Sequence, residues 1–313
     1  MFPIKQLKGG ALLTALFIMT LVAIVATAMS TRLQLDIYRT RLIVIHDKLY
    51  LASQGVTFWA FHELSEKRNA FTKVNEQGMV DVFPKDMETI YPQVKLSGGL
   101  YDLQSRFNLN NLVDRKFASV FINLIGRIYS GITNAEKMDL AQAVKNWISN
   151  YDLSQGKDSY TSYYLGQNPG YYPSHQLMKS GSEFRLIKEV SAPMYLAFEP
   201  FITALPETTP ININTAPKKL LMSLGNGMSE AQANELIMAR GENGIKNMRD
   251  IGELIKKIDL PSDQITIESQ YFLSVAHASS DEFNLTVYTL MKRSKDKKGK
   301  LTVSVVRESI NSF

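Results

Sequence analysis

The chain has no cysteine, two tryptophans and four histidines among its 313 residues. Without cysteine there is no disulfide framework, no thiol nucleophile and no zinc–thiolate site. The histidines, His46, His62, His175 and His277, form no close pair, and His62-Glu63 is not followed by the second histidine that a zinc-protease motif needs. G-x-S-x-G, Walker A and dinucleotide-binding fingerprints are also missing. Proline is present 11 times, yet none lies between Ala11 and Phe83, so nothing in that stretch breaks a helix. Charge of one sign does not dominate: 35 Lys and Arg against 30 Asp and Glu leave a net +5, which permits acidic partners without demanding nucleic acid.

What is present begins with KGGALLTALFIMTLVAIVATAM, Lys8 to Met29. Ala11 to Met29 carries no charge over 19 residues, and at about 1.5 Å per residue it nearly crosses a hydrocarbon layer of about 30 Å. A secretory signal is one reading, since Lys5 and Lys8 form a basic start and Ala26-Thr27-Ala28 an A-x-A cleavage site, but the apolar run exceeds the usual length. Beyond it, Leu33, Ile37, Val44, Leu49, Val56 and Trp59 recur at helical spacings among Arg32, Asp36, Arg39, Arg41 and Lys48. The pattern predicts one helix from Ala11 to about Lys67, roughly 85 Å long. Its first half suits a membrane, and its second half is amphipathic.

Further along, Tyr91 to Phe107 mixes apolar and polar residues around Gly98-Gly99, predicting a strand with a bend or bulge. Tyr271–Ala276, Phe283–Met291 and Leu301–Val306 predict three antiparallel strands, with turns at Ser279-Ser280-Asp281 and at KRSKDKKGK, Lys292 to Lys300, taken as a solvated hairpin tip. Between these regions six segments read as helical: Arg115–Tyr129, Ala135–Trp147, Phe184–Val190, Pro217–Leu224, Glu230–Arg240 and Met248–Lys257. Thr133-x-x-Glu136 and Ser229-x-x-Gln232 have capping-box form, and Thr215 stands ahead of Pro217 at a helix start. The expected architecture is α+β: a small antiparallel sheet carrying a large helical insertion.

Two segments hold candidate chemistry. Ile211 to Arg240 has two short helices joined by a turn with Gly225 and Gly227, the form of a helix-hairpin-helix unit that can offer backbone amides to a phosphate. The same residues also make a plain helix pair, and Lys218, Lys219 and Arg240 are the only nearby bases. The loop Asn150 to Tyr160 brings Asp152 and Asp158 together with Asn150 and Ser154, which reads either as turn chemistry or as a calcium loop, without the EF-hand glycine. Trp59 and Trp147 are expected in the core, while Tyr163-Tyr164 and Tyr171-Tyr172 suit loop packing or partner contact equally.

A short basic leader ending in glycine, an apolar run and a continuous amphipathic helix resemble a type IV prepilin or type II secretion pseudopilin. YDLQSRFNLNNL (Tyr101–Leu112), AVKNWISNYD (Ala143–Asp152), EFRLIKEVSAPMYLAFEPFITALP (Glu183–Pro206) and ININTAPKKLLMSL (Ile211–Leu224) are similar, in order, to the signature blocks of the K-type minor pseudopilin. The resemblance implies cleavage between Gly10 and Ala11 by a prepilin peptidase and N-methylation of Ala11. Most relatives carry glutamate at the fifth mature position, where this chain has Ala15. A carboxylate in hydrocarbon is costly unless paired, so its absence suits a terminal subunit with no neighbour above.

The implied fold is a type IV pilin-like one with a long N-terminal helix, a small antiparallel sheet and a large all-α insertion that includes a helix-hairpin-helix or SAM-like part. The implied divisions are residues 1–10 (leader), 11–30 (transmembrane), 31–67 (helix continuation), 68–107 with 265–313 (sheet domain) and 108–264 (insertion, of which 206–262 is hairpin-like). The expected role is non-enzymatic: capping the pseudopilus tip and supporting protein export across the outer membrane. Expected partners are the I-type and J-type minor pseudopilins, the major pseudopilin, prepilin peptidase and the inner membrane, with the C-terminal domain in the periplasm. Calcium at Asp152 and Asp158 is the one cofactor considered, and no nucleic acid is expected. The alternative is a membrane-anchored helix-hairpin-helix DNA receptor of the competence type.

Overall fold

The computed structural model describes residues 10–150, 159–281, 283–296 and 299–313. Helix α1, Gly10–Ser65, runs unbroken through 56 residues, about 84 Å at the standard rise. Its two halves differ sharply. No residue before Leu49 is buried, whereas Leu49, Ala52, Val56, Trp59, Ala60 and Leu64 are enclosed. Their three- and four-residue spacing puts them on one stripe, and that stripe lies on a five-stranded antiparallel sheet.

The sheet order is β1 (Met79–Val82), β2 (Lys95–Asp102), β7 (Tyr271–Ser280), β8 (Phe283–Lys295) and β9 (Leu301–Ile310). Strands β2 and β7 pair from Lys95↔Ser279 to Asp102↔Phe272 without a register slip. Everything from residue 103 to 270 is therefore an insertion between two hydrogen-bonded neighbours. Side chains alternate across β7 as the pleat requires: Phe272, Ala276 and Ala278 face α1, while Tyr271, Leu273 and Val275 face the other way with Leu103, Leu205 and Leu290. The result is three layers, with α1 on one face of the sheet and the insertion on the other.

The Gly98-Gly99 pair has a different cause from the one expected. Strand β2 is regular there against β7, and the irregularity falls in β1, between Met79 and Asp81. The glycines permit close approach: a Cβ on Gly98 would lie 2.2 Å from the Val275 carbonyl oxygen and 3.0 Å from Val56 Cγ1, and one on Gly99 would lie 2.3 Å from Met79 Sδ. The strand is also shorter than Tyr91–Phe107, since Leu103–Ser105 is a single 3-10 turn capped by Asp102. The three C-terminal strands are as expected but longer, and Lys292, Arg293 and Lys295 of the supposed tip lie within β8. Lys292 pairs with Glu207 at 2.5 Å and Lys295 with Glu268 at 2.6 Å, so this part of the basic run is tied to the insertion.

The insertion has its own core. Helices α2 (Ala118–Ile128) and α3 (Asn134–Ile148) bury Phe121, Leu124, Val144 and Trp147, and Phe107 stacks on Phe121 at 5.2 Å. The Thr133–Glu136 capping box closes the start of α3 as the sequence predicts. A second box, at Ser229 and Gln232, starts α7, Glu230–Arg240. The expected helix Phe184–Val190 is instead a 3-10 segment, Gly181–Leu186, and Glu189 has a left-handed φ of 64° that the sequence does not announce. Short parallel pairs tie the insertion together, β3 (Phe107–Asn108) with β4 (Ile202–Thr203) and β5 (Ile211–Asn212) with β6 (Ile265–Thr266). Of the remaining helices, α4 is Ser159–Leu165, α5 Ala192–Phe198, α6 Lys218–Leu221 and α8 Gly252–Lys257.

Candidate functional site

Two regions stand out: the bare half of α1, and the root where the insertion meets the sheet. On the bare half, Leu12, Leu16, Phe17, Ile18, Val22 and Ile24 are all more than half exposed. Apolar exposure over such a length is unstable in water and marks a surface for lipid or other helices. α1 is the one helix among the described residues long and apolar enough to cross a membrane. Gly10 is its first residue, and Ala11 and Ala15 lie in its exposed first turns. Thr14 and Thr20 return their hydroxyls to the helix backbone, at 3.1 and 3.0 Å for Thr14 and 2.8 Å for Thr20, so both are compatible with an apolar medium.

At the root, the sequence blocks do structural chemistry. Asp102, 1% exposed, accepts from the Gln104 N–H at 2.8 Å, the Thr215 hydroxyl at 2.5 Å, the Ser269 hydroxyl at 2.7 Å and the Asn212 side-chain amide at 3.0 Å. One carboxyl thus joins the end of β2, the ININT segment and the entry to β7. Thr215, expected to help start a helix, serves this junction instead, while Pro217 takes the N-cap position of α6 without a side-chain bond. Burial, opposed by all four hydrogen bonds, raises the Asp102 pKa above its ordinary range.

Buried asparagines extend the junction. Asn110 clasps Met178 through both backbone groups, accepting from its N–H and donating to its carbonyl, both at 2.9 Å. Asn214 does the same to Ile245, at 2.8 and 3.0 Å. An amide that both donates and accepts satisfies loop backbone that water cannot reach. These residues hold the insertion's loops in place, and no reaction chemistry is needed to explain them. Sequence reasoning quoted the blocks but did not single out Asp102; a lone carboxylate between Leu100, Tyr101 and Leu103 was the available signal.

The glycine turn before α7 is similarly occupied. The Gly225 N–H donates to Gln264 Oε1 at 3.0 Å and the Gly227 N–H to the Leu224 carbonyl at 3.0 Å. Lys218 pairs with Glu230 at 2.6 Å, and Lys219 lies over the Phe201 ring. Arg240 donates to the Ala216 carbonyl at 2.8 Å, and burial lowers its pKa to about 10. The first helix of the pair, α6, has only four residues. These groups leave little for a DNA phosphate. Asp152 and Asp158 lie outside the described residues, and among the described ones no three acidic or histidine side chains cluster as metal ligands. Trp59 and Trp147 are buried as expected, and the tyrosine pairs divide: Tyr164 is fully buried while Tyr172 is 72% exposed.

A membrane-length helix that continues as the packing helix of a small sheet, with a helical unit inserted between two strands, defines the class as an α+β protein with one N-terminal helix that fits a membrane anchor. Comparison with known proteins narrows this. The family described as type II secretion system (T2SS), protein K, matches in two parts, residues 105–207 and residues 211–268, together just over half of the chain. The chain belongs to the type II secretion system protein K family.

Among its relatives, the type II secretion system protein K of Aeromonas hydrophila is 26% identical over 95% of this chain and 96% of its own length. That of Pseudomonas aeruginosa is 27% identical over 64% of this chain, and the match spans 61% of the Pseudomonas protein. The fold is similar to one chain of the GspK-GspI-GspJ complex from the enterotoxigenic Escherichia coli type 2 secretion system. That likeness has a TM-score of 0.68 at 21% identity and covers 88% of this chain and all of the other.

Proposed function

We propose that this chain is a minor pseudopilin that caps the tip of a periplasmic pseudopilus together with I-type and J-type minor pseudopilins, supporting protein export across the outer membrane without itself catalysing a reaction. The observation that carries this reading is the division of α1: its second half is packed on the sheet, while the first, rich in apolar side chains, is exposed from Ala11 to Ile37. Such a helix gains most by packing beside equivalent helices, first in the inner membrane and then in a filament. The I-type and J-type partners follow from family membership and from the complex in which the similar fold occurs.

In this reading the fold is a pilin-like sheet domain, the insertion includes a helix-hairpin-helix-like part, and residues 1–10 are a leader. Prepilin peptidase cuts after Gly10 and Ala11 is methylated, leaving an amine that a glutamate from the major pseudopilin below can neutralise. Ala15 needs no neighbour above. The bulk of residues 103–270, standing on the sheet face opposite α1, would obstruct subunits stacked higher. The membrane-distal domain then lies in the periplasm.

The test is purification of the full chain from membranes with its I-type and J-type partners, followed by intact mass. A subunit beginning at methylated Ala11 that retains both partners is expected. A chain beginning at Met29, or one that retains neither partner, overturns the proposal.

A further inference from the structure

A cleft of about 350 Å³ lies between the outer face of the sheet and the insertion. Tyr101, Leu273, Val275 and Tyr288 line it from the sheet, and Arg106 and Thr203 from the insertion. Arg106 is partly buried, and among the described residues its guanidinium has no ion-pair or hydrogen-bond partner. Tyr101, Glu199, Asp102 and Tyr195 lie close enough to act on its charge, but none makes a direct bond to it. Thr203 is 2% exposed and its hydroxyl is also unpartnered. The Tyr101 and Tyr288 hydroxyls have no described partner either.

A partly desolvated guanidinium is costly unless a matching acceptor completes it. Its planar fork fits a carboxylate, which accepts two parallel N–H bonds, and tyrosine hydroxyls can donate to the same oxygens. Glu199, on the cleft wall with its Oε1 accepting from the Tyr195 hydroxyl at 3.4 Å, repels every added negative charge, a doubly charged ligand about twice as strongly as a singly charged one. The cleft therefore favours a monoanionic carboxylate over a doubly charged phosphate.

We propose that this cleft is a carboxylate-binding site, occupied in the assembled state by an aspartate or glutamate side chain of a partner polypeptide. Charge complementarity selects the head group. The polypeptide source is indicated by the walls: Tyr101, Tyr195, Tyr288 and Phe313, with Tyr288 and Phe313 stacked at 6.0 Å, surround the arginine with the residue types that anchor protein contacts. The partner assignment rests on the proposed pseudopilin function, whereas the carboxylate site does not.

The two parts separate experimentally. For the site, the full chain in detergent is titrated with N-acetylphenylalanine and with its uncharged amide. Wild type is expected to bind the acid about tenfold or more tightly than the amide. Arg106→Gln should abolish that preference, and Tyr101→Phe, which removes a single oxygen, should reduce it with the fold intact. Equal binding of acid and amide by wild type, or an unchanged preference in Arg106→Gln, overturns the site.

For the source, the titration is repeated on the chain purified with its I-type and J-type partners. Loss of acid binding there supports a partner carboxylate in the cleft. Undiminished binding overturns that occupant and leaves a free organic acid in its place. If no complex forms at all, the pseudopilin reading and the partner assignment fail together, while the titration of the chain alone still decides the site.

Discussion

Replacing Asp102 by asparagine tests whether burial holds the carboxyl at the root of the insertion in its neutral form. The residue is 1% exposed, receives four hydrogen bonds and has no ion pair among the described residues. Desolvation outweighs those bonds and lifts its pKa above the ordinary 3.8. Between that value and the raised folded one, the native state holds a proton that the unfolded state has lost. Unfolding free energy must then fall as pH rises through the window, by about 1.4 kcal/mol per pH unit.

Asp102→Asn keeps the shape and has no proton to lose, so its stability should lack this slope. The stability of wild type relative to Asp102→Asn is therefore greatest at low pH and declines as pH increases. Urea unfolding of the full chain in detergent, followed through the buried Trp59 and Trp147, measures the difference from about pH 4 to about pH 8. A constant difference, or one that moves in favour of wild type as pH rises, would mean that the four hydrogen bonds hold an ionised carboxylate and that the desolvation argument is wrong. Asp102→Ala removes the acceptor of the Gln104 N–H, the Asn212 amide and the Thr215 and Ser269 hydroxyls together, at a cost of about 2–5 kcal/mol.

Other substitutions probe the layers. Gly98→Ala places a methyl against the Val275 carbonyl oxygen and Val56, and should lower stability by about 1–3 kcal/mol in the same urea assay. Leu64→Ala, at a fully buried position of α1, should cost about 2–5 kcal/mol. Ile37→Ala, at a position 60% exposed, should leave the isolated chain within about 0.5 kcal/mol of wild type yet weaken retention of partner subunits on purification. Thr133→Ala removes the cap of α3 and should cost about 1 kcal/mol, read as a lower urea midpoint.

Much of this protein follows from local rules that a sequence states openly. The absence of proline before Phe83, the 19 uncharged residues and the later amphipathic spacing determine α1 within two residues at its end. The capping boxes at Thr133 and Ser229 mark their helices because the partners are three residues apart. β-branched and aromatic enrichment identifies β8 and β9 as strands, and in β9 Leu301, Val303 and Val305 alternate with Thr302 and Ser304 as a pleated strand allows.

What the sequence does not carry is any term that depends on residues far apart in the chain. The pairing of β2 with β7 brings residue 102 beside residue 272. Only that pairing makes the middle of the chain an insertion and places Thr215 and Ser269 on Asp102. The glycines of β2 look like a bend until Val56 and Val275 are placed against them. Arg106 looks like any surface base until the sheet and the insertion close around it, with no direct bond to its guanidinium among the described residues. Local patterning thus decided α1, the longer helices α2, α3 and α7, and the three C-terminal strands. Tertiary packing decided which charges are buried and which of them lack a partner, because desolvation depends on everything that surrounds a group and not on its neighbours in sequence.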